Sequence, residues 1–362
     1  MLGCSSRTSS VSRTRWIRAS SNRVPSRSRD VEETSTGRTV GDVGERALLA
    51  RLAARLPKIE TGIGPGDDTA VLDVAGAELL LTVDMLVESV DFERRYCSGA
   101  DLGWKAVAVN ASDIAAMGGR PLHAVAALAL GPEVELGYFD AVLEGLLDAA
   151  AHWRLTLAGG DLSRADGMML SVTMTGMCAG APVLRSGARP GDAICVSGTL
   201  GGSAGGLYVL TNDLPAEEHS ALVQRHLRPE ARVEAGRLIA QHGASAMIDV
   251  SDGLALDLLR VMEASGTGCA VDGQSVPVDP DLYVLEGQPD LPPALELALT
   301  GGEDYELLFT VPEERLDALE RSVTATGTMV TRIGTVTDGA PELDGEPLAD
   351  RKELGWDHLQ NP

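Results

Sequence analysis

The sequence predicts an α/β protein of two domains, on three observations. At 362 residues with 44% hydrophobic content, the chain exceeds what one core normally requires. From about Thr39, short β-type runs alternate with apolar residues at helical spacing. A stretch at Arg185–Asp192, containing Gly187, Pro190 and Gly191, then reads as a junction, after which the same alternation resumes. This places domains at residues 39–185 and 186–362. Residues 1–38 stand apart as a Ser- and Arg-rich extension with too few periodic apolar residues to bury a core, and they are expected to be disordered. An organelle transit peptide is the other reading of that composition.

The first predicted element is a helix over Glu45–Leu56, where Leu48, Leu49, Leu52 and Leu56 share a face. Strands follow at Thr69–Val74 and Glu78–Val83, placing Asp67-Asp68 and Asp84 at strand ends, where loops commonly carry function. Trp104–Met117 reads as a helix buried through Val107, Ala111 and Ile114, with Asn110 and Asp113 together on another face. A strand at His123–Leu130 and a helix at Tyr138–His152 come next. Thr156–Ala158 then runs into Gly159-Gly160-Asp161, read as a turn in which paired glycines admit a phosphate or metal to the backbone. Met169–Met177 is a further strand.

In the second half, Ala193–Ser197 is a strand leading into the glycine-rich run Gly198–Gly206. That run lacks the Gly-Lys-Ser/Thr ending of a Walker A loop, and tight backbone packing explains it as well as phosphate contact does. Ala246–Val250 reads as a buried strand. Ser251 or Asp252 is then positioned to cap a helix whose apolar face is Leu254, Leu258, Val261 and Met262. Leu307–Val311 and, as the last strand, Arg332–Val336 complete the series.

Charge excludes some function classes. The net charge is −23, yet residues 1–38 hold eight Arg against Asp30, Glu32 and Glu33, a balance of +5 that leaves −28 for the rest. Such a body does not hold a nucleic-acid backbone by bulk charge. Cys4, Cys97, Cys178, Cys195 and Cys269 are odd in number and scattered, giving neither a disulfide framework nor a zinc site. No apolar run approaches the ~20 residues that span a bilayer, so no membrane association and a cytoplasmic location are expected.

The chemistry lies in five acidic segments set among small residues: Gly66-Asp67-Asp68, Thr82-Val83-Asp84, Asn110–Asp113, Gly159-Gly160-Asp161 and Asp249–Gly253. Carboxylates gathered in a partly dry cleft repel one another and resist ionisation unless hard cations neutralise them. Asp113 within an apolar helix and Asp249 at the end of an apolar strand are costly without such partners. A site for several magnesium ions and phosphate is the reading that joins them.

In order along residues 39–360, the chain carries Gly-Asp-Asp-Thr-Ala-Val-Leu, Asp-Met-Leu-Val-Glu, Lys-Ala-Val-Ala-Val-Asn-Ala-Ser-Asp-Ile-Ala-Ala-Met-Gly, Gly-Gly-Asp, Arg-Ser-Gly-Ala-Arg-Pro-Gly-Asp, Ile-Asp-Val-Ser-Asp-Gly-Leu and Gly-Gly-Glu-Asp-Tyr-Glu-Leu-Leu-Phe. In this ordered set it resembles the thiamine-monophosphate kinases. The resemblance implies an aminoimidazole ribonucleotide synthetase-like fold, with mixed sheets, helices on one face and an active-site cleft between the domains. It also implies magnesium-dependent transfer of the ATP γ-phosphoryl group to thiamine monophosphate, and a homodimer whose N-terminal domains pair their sheets. Two polyanions meet in that reaction, which suits magnesium and a ring of aspartates.

Carried over by motif, the resemblance implies magnesium ligands at Asp68, Thr82, Asp84, Asp113, Asp161 and Asp249, with Asp252 holding a further ion and Val83 serving through its carbonyl. Gly160, Arg185 and Ser251 would contact ATP, and Asp91, Glu303 and Trp356 would border the acceptor. Two positions depart from the family pattern: Asp91 stands where a His is common, and Val83 where a hydroxyl residue is usual. The alternatives are a relative of the same superfamily with another acceptor, or a non-catalytic divalent-cation-binding protein. Selenophosphate synthetases usually show a reactive Cys or selenocysteine near a Lys early in the domain, and hydrogenase-maturation relatives end in a Cys; neither signature is found in this sequence, whose last residues are Leu359-Gln360-Asn361-Pro362.

Overall fold

Alternating apolar patterns produce two mixed sheets in a computed structural model that describes residues 44–56, 62–351 and 354–356. The expected disorder of residues 1–38 falls outside the described residues, as does Cys4. In chain order the first half contains α1 (Gly44–Ala53), β1 (Gly62–Ile63), β2 (Ala70–Val74), β3 (Ala77–Val87), α2 (Gly99–Ala116), β4 (Gly119–Leu130), α3 (Leu136–His152), β5 (Thr156–Arg164) and β6 (Met169–Cys178). Their strands form a sheet of order β1-β2-β3-β6-β4-β5, antiparallel except for the β4–β5 pair.

Strand alternation divides this sheet into two faces. Leu80 and Leu86 of β3 and Leu170, Val172 and Met174 of β6 bury beneath α2 and α3, in one cluster with Leu102, Val107, Ile114, Val142 and Leu146. On the outer face, Val83 (59% exposed), Met85 and Val125 meet solvent. Ser98 starts α2 by accepting the Asp101 N–H on its hydroxyl.

The second half contains β7 (Ala193–Ser197), α4 (Gly202–Thr211), α5 (Ser220–Leu227), α6 (Val233–Gln241), β8 (Ala246–Asp249), α7 (Leu254–Ser265), β9 (Gly268–Val271), α8 (Ala294–Thr300), β10 (Leu307–Val311), α9 (Glu313–Thr324), β11 (Val330–Thr337), β12 (Pro341–Leu343) and β13 (Glu346–Pro347). The strands order as β13-β12-β9-β11-β7-β10-β8, with β12–β9 parallel and the other pairs antiparallel.

The first sheet carries its helices on one face, whereas the second is buried on both. Ile194, Val196, Ile248 and Leu308 pack toward α7 and α8. Cys195, Met247, Leu307 and Phe309 pack toward α6, α9 and the C-terminal end of α2. This explains why β7, β8 and β10 read as continuous rather than alternating apolar runs.

Four local expectations change. Asp84 lies inside β3, not at its end, because β3 continues to Val87 in register with β6. Gly159-Gly160-Asp161 is not a turn but the middle of β5, where Ala158 bulges between the Leu157–Ala124 and Gly159–Val125 pairs and Gly159 takes φ +148°. Arg332–Val336 is followed by β12 and β13. Neither Ser251 nor Asp252 caps α7: Gly253 occupies the cap, and the Asp257 side chain reaches back to accept the backbone N–H groups of both residues, each at 3.1 Å.

Candidate active site

The end of β8, the middle of β3 and the C-terminal half of α2 converge on a cleft of about 820 Å³. Along β3, Thr82 and Asp84 project to the helix-covered side and Val83 to the other. Thr82 donates a short hydrogen bond from Oγ1 to Asp113 Oδ2, and Ser112 Oγ donates to Asp249 Oδ2 at 2.5 Å. Asp68, just ahead of β2, completes a group with Asp113 and Asp249 in which carboxylate oxygens lie within 4.8 Å of one another.

Burial, followed by the charge of Asp84, Asp249 and Asp68, holds the Asp113 carboxyl well above its ordinary range. Burial and the charge of Asp68 do the same to Asp249, opposed by its bond from Ser112. An all-oxygen donor set whose members resist ionising together fits a hard divalent cation. Arg185 is the basic group at this end: its Nη2 donates to Asp68 Oδ1 at 2.7 Å and its backbone N–H to Asp67 Oδ1 at 2.6 Å.

Ser251 and Asp252 line the same cleft beyond β8. Arg260 Nη1 ties this loop, lying 2.6 Å from both Asp252 Oδ2 and Asp257 Oδ1. Burial raises Asp257 to about 7 against the opposing effect of Arg260. Asp91, Glu303 and Trp356 line the same cleft. Asp91 Oδ2 accepts the Val87 N–H at 2.8 Å, closing the turn after β3. The Trp356 backbone N–H donates to Asp252 O at 3.0 Å, and Gly355 lies where a Cβ would stand 2.3 Å from that oxygen.

Glu303 and Tyr305 hold φ of +66° and +51°, left-handed conformations costing about 1–3 kcal/mol each for residues with a Cβ. Bonds from Glu303 N to Ser251 O (2.7 Å) and from Tyr305 N to Val250 O (2.9 Å) enforce them. Gly160 and Asp161 are elsewhere, on edge strand β5. A Cβ at Gly160 would sit 1.8 Å from Ala126 O, so close strand packing already requires this glycine. Asp161 is exposed and in register with the outward-facing Ala127.

The glycine-rich run proves to be a packing device. Gly206 lies where a Cβ would stand 2.1 Å from Leu222 O, bringing α4 against α5. Asp304 accepts N–H groups from Gly201 (2.6 Å) and Ser203 (3.1 Å) at the start of α4. Sequence reasoning passed over Asp304, Glu306, Lys105 and His226. Glu306 is buried, accepting from Arg232 Nε at 2.8 Å and Nη2 at 2.6 Å and from the Ser197 hydroxyl at 2.6 Å. The available signal for Lys105 and His226 was a polar residue on an otherwise apolar helix face, beside Leu102 and Val109 in α2 and Leu222 and Val223 in α5.

The family models for AIR synthase related protein match here: the N-terminal domain at residues 66–178 and the C-terminal domain at 189–344. Thiamine-monophosphate kinase of Salmonella typhimurium is 40% identical over 334 residues, covering 88% of this chain and 99% of its own length. The chain belongs to the thiamine-monophosphate kinase family. The family's Bacillus subtilis member is 38% identical over 283 residues, spanning 76% of this chain and 86% of its own. Among solved structures, AaThiL complexed with AMPPCP and TMP superposes with a TM-score of 0.80 at 34% identity, over 90% of this chain and all of that one. The hydrogenase maturation protein HypE in complex with ATP, at 23% identity and a TM-score of 0.61, covering 83% of this chain and 89% of its own, shares the fold.

Proposed function

We propose that the cleft carries out phosphoryl transfer between two bound phosphates, with the buried aspartate cluster as its metal end and Asp91, Glu303 and Trp356 as its acceptor end. The chain is an ATP-dependent thiamine-monophosphate kinase that forms thiamine diphosphate and ADP. The observation that carries the site assignment is the convergence of Asp68, Asp113 and Asp249 from three distant segments. These residues, with Thr82, Asp84 and Asp252, would hold magnesium, and the Val83 carbonyl is the remaining donor of the β3 triplet. Bound there, magnesium supplies charge neutralisation for donor and acceptor phosphates.

Arg185, poised on Asp68, and Ser251 contribute positive charge and a hydroxyl to the nucleotide phosphates. Trp356 offers its ring to an aromatic portion of the acceptor. The acceptor's own phosphate oxygen attacks, so no side chain forms a covalent intermediate. Asp91 has one carboxylate oxygen committed to the Val87 N–H, which keeps its charge bound to the turn. Homodimerisation through the outer face of the first sheet is the assembly that its exposed Val83, Met85 and Val125 support. Among the described residues no helix is long and apolar enough to cross a membrane, in keeping with a cytoplasmic enzyme.

A coupled ADP-release assay with ATP and magnesium tests the function. Thiamine monophosphate is expected to drive turnover, with thiamine diphosphate appearing one for one, while thiamine is not. Asp249→Asn should lower the rate by about 100-fold or more. Absence of acceptor-dependent turnover in the unaltered protein, with recovery in Asp91→His, would show instead that the acceptor differs.

A further inference from the structure

Lys105 and His226, the latter lining the cleft, have been given no role above, yet both meet Glu303. The Lys105 side chain, 1% exposed in the first half of α2, brings Nζ to 2.7 Å from Glu303 Oε1. The contact is one of charge rather than an aligned hydrogen bond, and Nζ has no aligned acceptor among the described residues. The other Glu303 oxygen, Oε2, lies 3.3 Å from His226 Nδ1, which is also 3.1 Å from Ser203 Oγ. Burial, reinforced by Lys105, brings the imidazole down to about 3, so the ring is neutral at physiological pH.

A buried ammonium is a poor way to stabilise a fold, since an apolar side chain of similar volume commonly does as well or better. What this arrangement secures is a direction. Glu303 is held at its backbone by Ser251, at one oxygen by Lys105 and beside the other by His226, and its side chain remains 27% exposed. Its partners come from α2, α5 and the loop after β8, so its orientation depends on both halves of the chain.

We propose that Lys105, assisted by His226, is a positioning residue for acceptor recognition: it aims Glu303 at the cationic thiazolium or amino-pyrimidine portion of the acceptor, and sets acceptor affinity rather than the phosphoryl-transfer step. The proposal rests on the kinase reading and on Glu303 as an acceptor contact. A carboxylate free to swing would lose part of its orientation toward a cationic or N–H-donating ring, whereas the metal end of the cleft would be untouched. Lys105 thus acts through Glu303, and its effect must vanish when Glu303 can no longer act.

The test is a double-mutant cycle of Lys105→Met and Glu303→Gln in steady-state kinetics, varying thiamine monophosphate and ATP separately. Lys105→Met is expected to raise KM for thiamine monophosphate about 10-fold, with kcat within about 3-fold and KM for ATP unchanged. In the Glu303→Gln background the same substitution should shift that KM less than about 2-fold. Equal shifts in both backgrounds, or a matching rise in KM for ATP, would overturn the proposal. If circular dichroism shows Lys105→Met unfolded, His226→Gln replaces it in the same cycle under the same criteria. Turnover of thiamine monophosphate by the unaltered protein with an additive cycle defeats this inference alone; no such turnover defeats the kinase reading and this inference together.

Discussion

At His226 a single buried ring ties stability to pH. Its folded value of about 3 lies below the ordinary 6.5, so between these limits the unfolded chain takes a proton that the fold refuses. The stability this contributes is complete above pH 6.5 and is lost as pH falls toward 3, by about 1.4 kcal/mol per pH unit for one proton. Asp257 and Asp304, both raised to about 7 chiefly by burial, act in the opposite sense over an overlapping window. They are common to the protein and to His226→Gln, so they cancel in the difference. Urea denaturation from pH 6 to 4.5 should therefore show the unaltered protein losing its advantage over His226→Gln at close to that slope. A difference independent of pH would mean that the ring is charged in the fold.

Asp249 and Asp113 were legible in the sequence because a carboxylate within an apolar run has no solvent to turn to. Lys105 carries the same signature, but its meaning depends on Glu303 and His226, and a sequence does not say which late residues face an early helix. Val83 entered only through the family pattern; the structure adds that alternation along β3 sends its side chain to the face opposite Thr82 and Asp84.

Among the elements, α7 shows how a helix can shape the loop before it. Ordinary capping puts the acceptor ahead of the helix, which is why Ser251 and Asp252 read as caps. Here the acceptor is Asp257, inside the first turn, and it holds the N–H groups of the two residues at the cleft while Arg260 steadies Asp252. Asp257→Ala removes the one oxygen that accepts both N–H groups and takes from Arg260 one of its two carboxylate partners. It is expected to destabilise the fold by about 2–4 kcal/mol. It should also raise the magnesium concentration for half-maximal activity by about 10-fold, as loss of a supporting contact behind a metal ligand does. Thermal denaturation and a magnesium titration measure the two effects, and an unchanged magnesium requirement would restrict Asp257 to stability. Strand β5 illustrates the limit of local reading: two consecutive glycines signal a turn, but pairing with β4 and a one-residue bulge keep them extended.

For the whole molecule, the first sheet presents one covered face and one open face. Across the open side, Met85, Ser171, Ala127 and Asp161 fall in register over four strands, next to the row of Val83, Thr173 and Val125. If this face joins two copies, Val125→Glu places a charge in the contact and should convert a dimer to a monomer in sedimentation velocity, with its circular dichroism unchanged. Persistence of the dimer would move the interface elsewhere. The two-domain α/β class was readable from length and alternation; burial of the second sheet on both faces was not, because short continuous apolar runs suit several layerings.

Helix α2 supplies Lys105 near its start and Ser112 and Asp113 near its end. Eight residues of α-helix separate Lys105 from Asp113, an axial distance of about 12 Å. One rigid rod therefore serves as a gauge between the residue that aims Glu303 and the residue that joins the aspartate cluster. The spacing of those two residues is thus fixed by backbone hydrogen bonding within one element rather than by the packing of one element on another.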